Sequence, residues 1–223
     1  MSPPDQRADH YQSGRCRMAL STKAELRASI KSWTKRSDFT DAECDDFITL
    51  CESEFNRVIR IPANETRDTA FAISSGTVAL PTGFREFRQI NINEMGGYAL
   101  KVISPQAAAD YFDNDSSGPP TDYMITGTNL RVFPAPDGAY TADIIYFKAF
   151  DALTDAVTNF IFTDHVGVYL WGSILQSAPF VADDPRIPVW AAKYQDSVRA
   201  VIEEGARTRW RGSQPMSRIR VTP

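Results

Sequence analysis

The stretch Phe160 to Asp184, FIFTDHVGVYLWGSILQSAPFVADD, decides the fold, because its middle is apolar on every side and only a segment enclosed by other elements reads that way. Val166, Leu170 and Ile174 recur at helical spacing on one side, while Tyr169, Trp171 and Leu175 fill the others. This predicts the central helix of a small bundle, which the rest of the chain must cover. Its length approaches the roughly 20 residues of a membrane span. Asp164, His165, Gln176 and the closing Asp183-Asp184 pair interrupt the apolar run, however, and favour a soluble core.

Working outward, two helices are predicted before this stretch and one after it. Thr22 with Glu25 three residues on forms a capping box, followed by the stripe Leu26, Ile30 and Trp33. Thr40 and Glu43 repeat the device, with Phe39 placed to pack on Cys44 as a hydrophobic staple. Phe47, Ile48, Cys51, Phe55, Val58 and Ile59 then form a core-facing stripe that Pro62 should stop. Asp41, Glu43, Asp45 and Asp46 crowd the first turns, where the helix dipole favours negative charge, and Arg57 and Arg60 sit at the opposite end. Beyond the central stretch, Val189 to Trp210 reads as a helix with Trp190, Tyr194, Val198 and Val201 buried and Gly212 placed to end it. The tail Ser213 to Pro223 carries the alternation Arg218-Ile219-Arg220-Val221, which suits an extended strand but has no sheet of its own.

Between Ala63 and Asn159 the pattern changes to short β-branched and aromatic runs separated by Gly, Pro, Asn and Asp. Hairpins are expected from Phe71–Ile73 to Thr77–Leu80 across Ser74-Ser75-Gly76, and from Arg88–Asn93 to Tyr98–Val102 across Gly96-Gly97. A short helix should open at Ser104-Pro105 and run to about Phe112. Tyr123–Thr126, a turn at Gly127, Leu130–Phe133 and a last strand Ala142–Phe147 complete a small antiparallel sheet or sandwich. The expected class is therefore α+β: a bundle of N- and C-terminal helices with an inserted antiparallel β-rich subdomain and an extended C-terminal tail. The divisions are a flexible arm at 1–17, two bundle helices at 18–62, the insert at 63–159, two further helices at 160–212 and the tail at 213–223. Met18 opens a segment that reads as a natural start.

The 223 residues, 43% hydrophobic and 23% charged, suit a globular chain that buries a real core. A net charge of -4 argues against a general nucleic-acid binder. Cys16, Cys44 and Cys51 have no metal spacing, and the last two lie about 10 Å apart on one predicted helix, too far for a disulfide. No apolar signal region opens the chain, so neither secretion nor a membrane anchor is expected. No phosphate loop, dinucleotide fingerprint, nucleophile elbow or metal repeat appears, and no cofactor is expected. His165 beside Asp164 reads as a structural histidine next to a capping acid. Glu52 and Glu54 could be cast as a glycosidase pair, but neighbours two apart on a helix point to different faces.

Basic residues gather at the C-terminal end, at Arg199, Arg207, Arg209, Arg211, Arg218 and Arg220, with Trp210 among them. Three readings compete: a solvated helix end, nucleic-acid contact, or docking on an acidic protein surface with Ile219 and Val221 as apolar anchors. The acidic chain and the alternating anchors favour the third.

The opening LSTKAELRASIKSWTKRSDFTDAECDDFITLCESEFNRVIR resembles the start of the head-to-tail adaptor proteins of tailed bacteriophages, a family that includes tail tubular protein A-like and gatekeeper-like connectors. The matching positions are Leu26, Ile30, Trp33, Arg36, Asp38, Phe47, Ile48, Glu52, Asn56, Arg57 and Arg60. VALPTGFREFRQI, YMITGTNLRVFPAP and DHVGVYLWGSILQSAPFVADDPRIPVWAAKY are similar to that family's sheet and last two helices, so the likeness covers most of Met18 to Tyr194. Cys51 stands where a small Ala is usual, and residues 1–17 have no counterpart.

The resemblance implies a structural virion protein, not an enzyme. It would join a roughly twelve-fold ring of neighbouring subunits beneath the portal protein, continuing the DNA channel towards a downstream tail or nozzle protein. Genomic DNA would pass without sequence-specific binding, no membrane would be involved, and assembly would take place in the host cytoplasm. Mapped onto this chain, the portal-binding residues are Trp210, Arg211, Pro215, Arg218, Ile219, Arg220 and Val221. Asp41, Asp45 and Asp46 are candidates for a DNA-repelling channel wall. The competing expectations are a tail-associated cell-wall hydrolase, which needs convergent carboxylates in a cleft, and a nucleic-acid-binding regulator, which predicts salt-sensitive binding to duplex DNA.

Overall fold

In the computed structural model, which describes residues 20–94, 96–113, 117–181 and 184–210, both capping boxes form. Helix α1 spans Lys23–Thr34: Glu25 N donates to Thr22 Oγ1 at 3.2 Å, and Thr22 N donates back to Glu25 Oε2 at 3.0 Å. Lys35, in the left-handed region at φ 58°, ends it. Helix α2 spans Asp41–Val58 with the same reciprocal pair between Thr40 and Glu43. Leu26, Ile30, Phe47, Ile48, Cys51 and Phe55 are buried as their spacing predicts. Phe39 is buried too, its ring edge-on to Phe47 at 5.4 Å.

Two stripe members depart from expectation. Trp33 is 49% exposed, with one edge against Trp171 at 5.1 Å, and Val58 is 52% exposed because the next residue, Ile59, takes the buried place. Helix α2 ends at Val58, ahead of Pro62, which instead opens a 3-10 turn at Pro62–Asn64.

The predicted central helix is broken. Phe160–Asp164 forms α4 and Val166–Gln176 forms α5, with a 3-10 turn at Ala178–Phe180 where one longer helix was expected. His165, at φ -132° and ψ 46°, is the break: its N–H closes α4 on Ile161 O, and its carbonyl accepts from Val168 N. The cap of α4 is Asn159, whose Oδ1 accepts from Phe162 N at 3.0 Å; Asp164 does not cap. Enclosure holds nonetheless, since Val168, Tyr169, Leu170, Ser173 and Ile174 are all buried. Helix α6, Ile187–Trp210, covers α5 and buries Trp190, Tyr194 and Val201. Two glycines set how closely these helices approach. A Cβ at Gly172 would overlap Cys51 Sγ and the Tyr194 ring, and one at Gly205 would overlap Ile61.

Among the described residues, eight strands form two four-stranded sheets. The first has the order β1-β8-β3-β4, from β1 Glu65–Ile73, β3 Phe84–Ile92, β4 Tyr98–Ala99 and β8 Tyr140–Lys148. The second has the order β2-β7-β6-β5, from β2 Thr77–Ala79, β5 Lys101–Val102, β6 Asp122–Thr126 and β7 Asn129–Phe133. The β6–β7 hairpin matches the sequence reading, with Gly127 at φ 60°. The hairpin read from Arg88–Asn93 into Tyr98–Val102 forms only in part, because the second strand divides at Leu100, Tyr98–Ala99 pairing with β3 and Lys101–Val102 joining the second sheet.

The hairpin expected across Ser74-Ser75-Gly76 does not form. β1 pairs with β8 and β2 with β7, so this turn carries the chain from one sheet to the other. One pairing, β5 with β6, is parallel rather than antiparallel. Helix α3, Pro105–Asp113, opens as predicted with Ala107 N donating to Ser104 Oγ. Phe71, Ile90, Ile144, Leu130 and Val132 belong to one apolar core drawn from both sheets, and the helices keep a separate one.

Candidate assembly surfaces

The last turns of α6 bring basic side chains to the base of the sheets. Arg209 Nη2 donates to Glu65 Oε1 at 2.6 Å, and Arg88 Nη1 reaches the same oxygen at 2.7 Å. Glu65 opens β1 and Arg88 lies in β3, so one largely buried carboxylate ties the end of the helix to two strands of the first sheet. Arg207 pairs with Glu203 one turn back at 3.3 Å, and Arg199 is exposed. Two members of the predicted basic cluster are therefore committed within the chain. The Arg209–Glu65 pair also holds the last described turn of α6 against the first sheet. Nothing in the sequence distinguished Glu65 from any other surface acid. The expected portal-binding positions Arg211, Pro215, Arg218, Ile219, Arg220 and Val221 lie outside the described residues, as does Gly212. The backbone of Trp210 forms the last position of α6.

The proposed channel acids fall into two groups. Asp45 accepts a bidentate pair from Arg27 Nε and Nη2 at 2.7 and 2.8 Å, with Lys23 at 3.3 Å, and Asp41 accepts from Lys31 Nζ at 2.7 Å. The hydrogen bond from Arg27 holds the Asp45 carboxyl below its ordinary pKa, and that from Lys31 does the same for Asp41. Their charge bonds α1 to α2. Asp46 is exposed and makes no ion pair among the described residues.

The acid with the most unusual surroundings is Glu52. It is buried, and its Oε1 accepts from Leu153 N at 2.7 Å and from Tyr169 Oη at 2.8 Å. Asn159 Nδ2 donates to the same tyrosine oxygen at 2.6 Å and to Asp151 O at 2.7 Å. Close by, Asn56 Oδ1 accepts from Phe150 N at 2.7 Å, and Asn64 Nδ2 donates to Lys148 O at 3.1 Å. Burial pushes the Glu52 carboxyl above its ordinary pKa, and burial together with the neighbouring Glu52 raises the Tyr169 hydroxyl. Four side chains thus seize the segment that leaves β8 and seat it on the helices. Glu54 points elsewhere and accepts from Gln176 Nε2 at 2.7 Å.

Beside this junction lies a polar hollow of about 360 Å³, lined by Asn64, Thr66, Lys148, Asp151, Thr158 and Asn159 among others. Its one lining carboxylate, Asp151, pairs with Lys148 at 3.0 Å, so the two carboxylates of a glycosidase centre do not meet there. Cys44 and Cys51 are free and buried. No helix among the described residues is long and apolar enough to cross a membrane.

The sequence pattern of one family, described as SU10 adaptor protein, matches residues 21–219. No curated protein matches the chain.

Proposed function

The chain belongs to the SU10 adaptor protein family, a family of phage head-to-tail adaptors, and from that premise we propose that it forms a ring of roughly twelve copies beneath the portal. The ring continues the DNA channel towards the next tail component, and the chain performs no chemistry. The observation that carries this reading is the reach of the family match. It runs to residue 219, beyond the last described position of α6, so the matched span takes in Arg211, Pro215, Arg218 and Ile219. Arg218-Ile219-Arg220-Val221 alternates charge with aliphatic anchors, as a strand does when it adds to the edge of another protein. The Arg209–Glu65 pair supports this by holding the root of that segment in one place relative to the sheets.

In this reading Trp210, Arg211, Pro215, Arg218, Ile219, Arg220 and Val221 contact the portal. Of the three candidate channel acids, Asp46 is the one that presents net charge to DNA, because Asp41 and Asp45 are neutralised by α1. Deleting residues 213–223 is expected to abolish capture by immobilised portal while leaving the melting temperature unchanged. Undiminished capture by the shortened chain would remove the role assigned to this segment.

A further inference from the structure

Two apolar grooves run along opposite flanks of α6. Taking its residues at the helical repeat, Val189 and Lys193 fall on one side of the buried seam formed by Trp190, Tyr194 and Val201, while Val198 and Ile202 fall on the other. The first groove, of about 840 Å³, lies between α6 and α1 and is floored by Trp33, Trp171, Val189 and Trp190. The second, of about 400 Å³, lies between α6 and α2 and is floored by Val58, Tyr194, Val198 and Ile202. Both leave large apolar side chains in water: Trp33 is 49% and Val189 57% exposed on one side, Val58 52% and Ile202 38% on the other.

Their charges differ, the first being cationic and the second mixed, with an acid on its floor. The first groove is lined by Lys35, Arg186 and Lys193 and by no carboxylate. Asp184 holds Arg186 at 2.6 Å, and that guanidinium lies over the Trp190 ring at 5.1 Å; Lys35 and Lys193 make no ion pair among the described residues. The second groove is lined by Glu54 and Glu203 with Arg199. Arg207 holds Glu203 at 3.3 Å, so the carboxylate without an ion pair there among the described residues is Glu54, which accepts from Gln176 Nε2.

We infer that the two grooves are the two halves of one interface between copies of this chain, the Trp33–Val189 groove of one copy receiving the Val58–Ile202 flank of the next. The inference rests on the ring proposed above and names the surfaces that build it. A closed ring needs two different patches on each subunit, facing away from one another and complementary in shape and charge. A partner of another kind would need only one. The segment after α6 is a poor occupant of the first groove, since Arg211, Arg218 and Arg220 would meet Lys35 and Lys193.

The test is cross-linking in assembled phage particles whose adaptor carries Cys16→Ser with Val189→Cys, Ile202→Cys or both; Cys44 and Cys51 are buried. A short bis-maleimide is expected to give a ladder of covalent multimers from the double variant and monomers from each single one. Dimers from either single variant would mean that like meets like, and would overturn the pairing. Monomers from the double variant in particles whose neck shows a ring by electron microscopy would overturn these surfaces while leaving the ring intact. Particles with no adaptor ring would instead defeat the functional reading on which the inference stands.

Discussion

The two cores of this protein solve the same problem differently. Between the sheets, backbone donors and acceptors are consumed by the strand ladders, and every side chain of that core is apolar apart from the rim of Tyr146. In the helical part lie all the buried polar residues among those described: Thr34, Glu52, Asn56, Asn64, Asn159, Ser173 and Ser177. The difference follows from what each core must hold. A ladder satisfies its own backbone, whereas the irregular segment between β8 and α4 brings N–H and C=O groups into a dry interior that only side chains can meet. The helical core is therefore a clamp on a loop as well as a packing surface.

The comparison is broken most strongly at Glu52. Glu52→Ala strands Leu153 N–H and the Tyr169 hydroxyl, and should cost about 3 kcal/mol in denaturant unfolding. Next comes the close helix approach: Gly172→Ala should cost about 2 kcal/mol by overpacking against Cys51 and Tyr194. Adding Cys51→Ala, which removes the sulfur that the new methyl meets, should recover part of that loss. If the double variant is no more stable than Gly172→Ala alone, Cys51 is not the obstacle.

Glu52→Gln keeps the acceptor oxygen and sharpens the contrast through pH. Because burial raises the Glu52 pKa in the folded chain, folding favours the protonated form. Its contribution is full below the ordinary Glu value and is lost as pH rises through the raised one. The variant should therefore gain on the parent as pH rises across that window, and a stability difference independent of pH would contradict the assignment. The smallest effect belongs to the surface of the sheet. Arg67→Ala removes an exposed pair with Asp143 and should leave the denaturant midpoint almost unchanged.

Much of this was legible in the residues. The capping boxes located α1 and α2 because a Thr followed by Glu three residues later satisfies specific backbone groups wherever it occurs. Asn56 stood out only as a position shared with the adaptor resemblance, and Glu52 as one such position and as half of a rejected glycosidase pair; their reason, a clamp on residues 150–153, depends on contacts about a hundred positions away in sequence. At His165 the sequence shows only that Asp164 and His165 interrupt the apolar run; neither is Gly or Pro, and a polar pair does not by itself end a helix. Ser74-Ser75-Gly76 has the composition of a hairpin turn, but composition does not say which sheet the next strand joins. Trp33 was assigned to the core from spacing alone. Its exposure is a tertiary fact, and it is what reveals the groove beside α6.

The most direct test of the central claim is a side-chain-resolution reconstruction of the neck of the intact particle. A closed ring of about twelve copies directly beneath the portal is expected, with residues 213–223 of each lying against the portal. A neck without the chain, or one in which those residues rest only on their own helices, would contradict it.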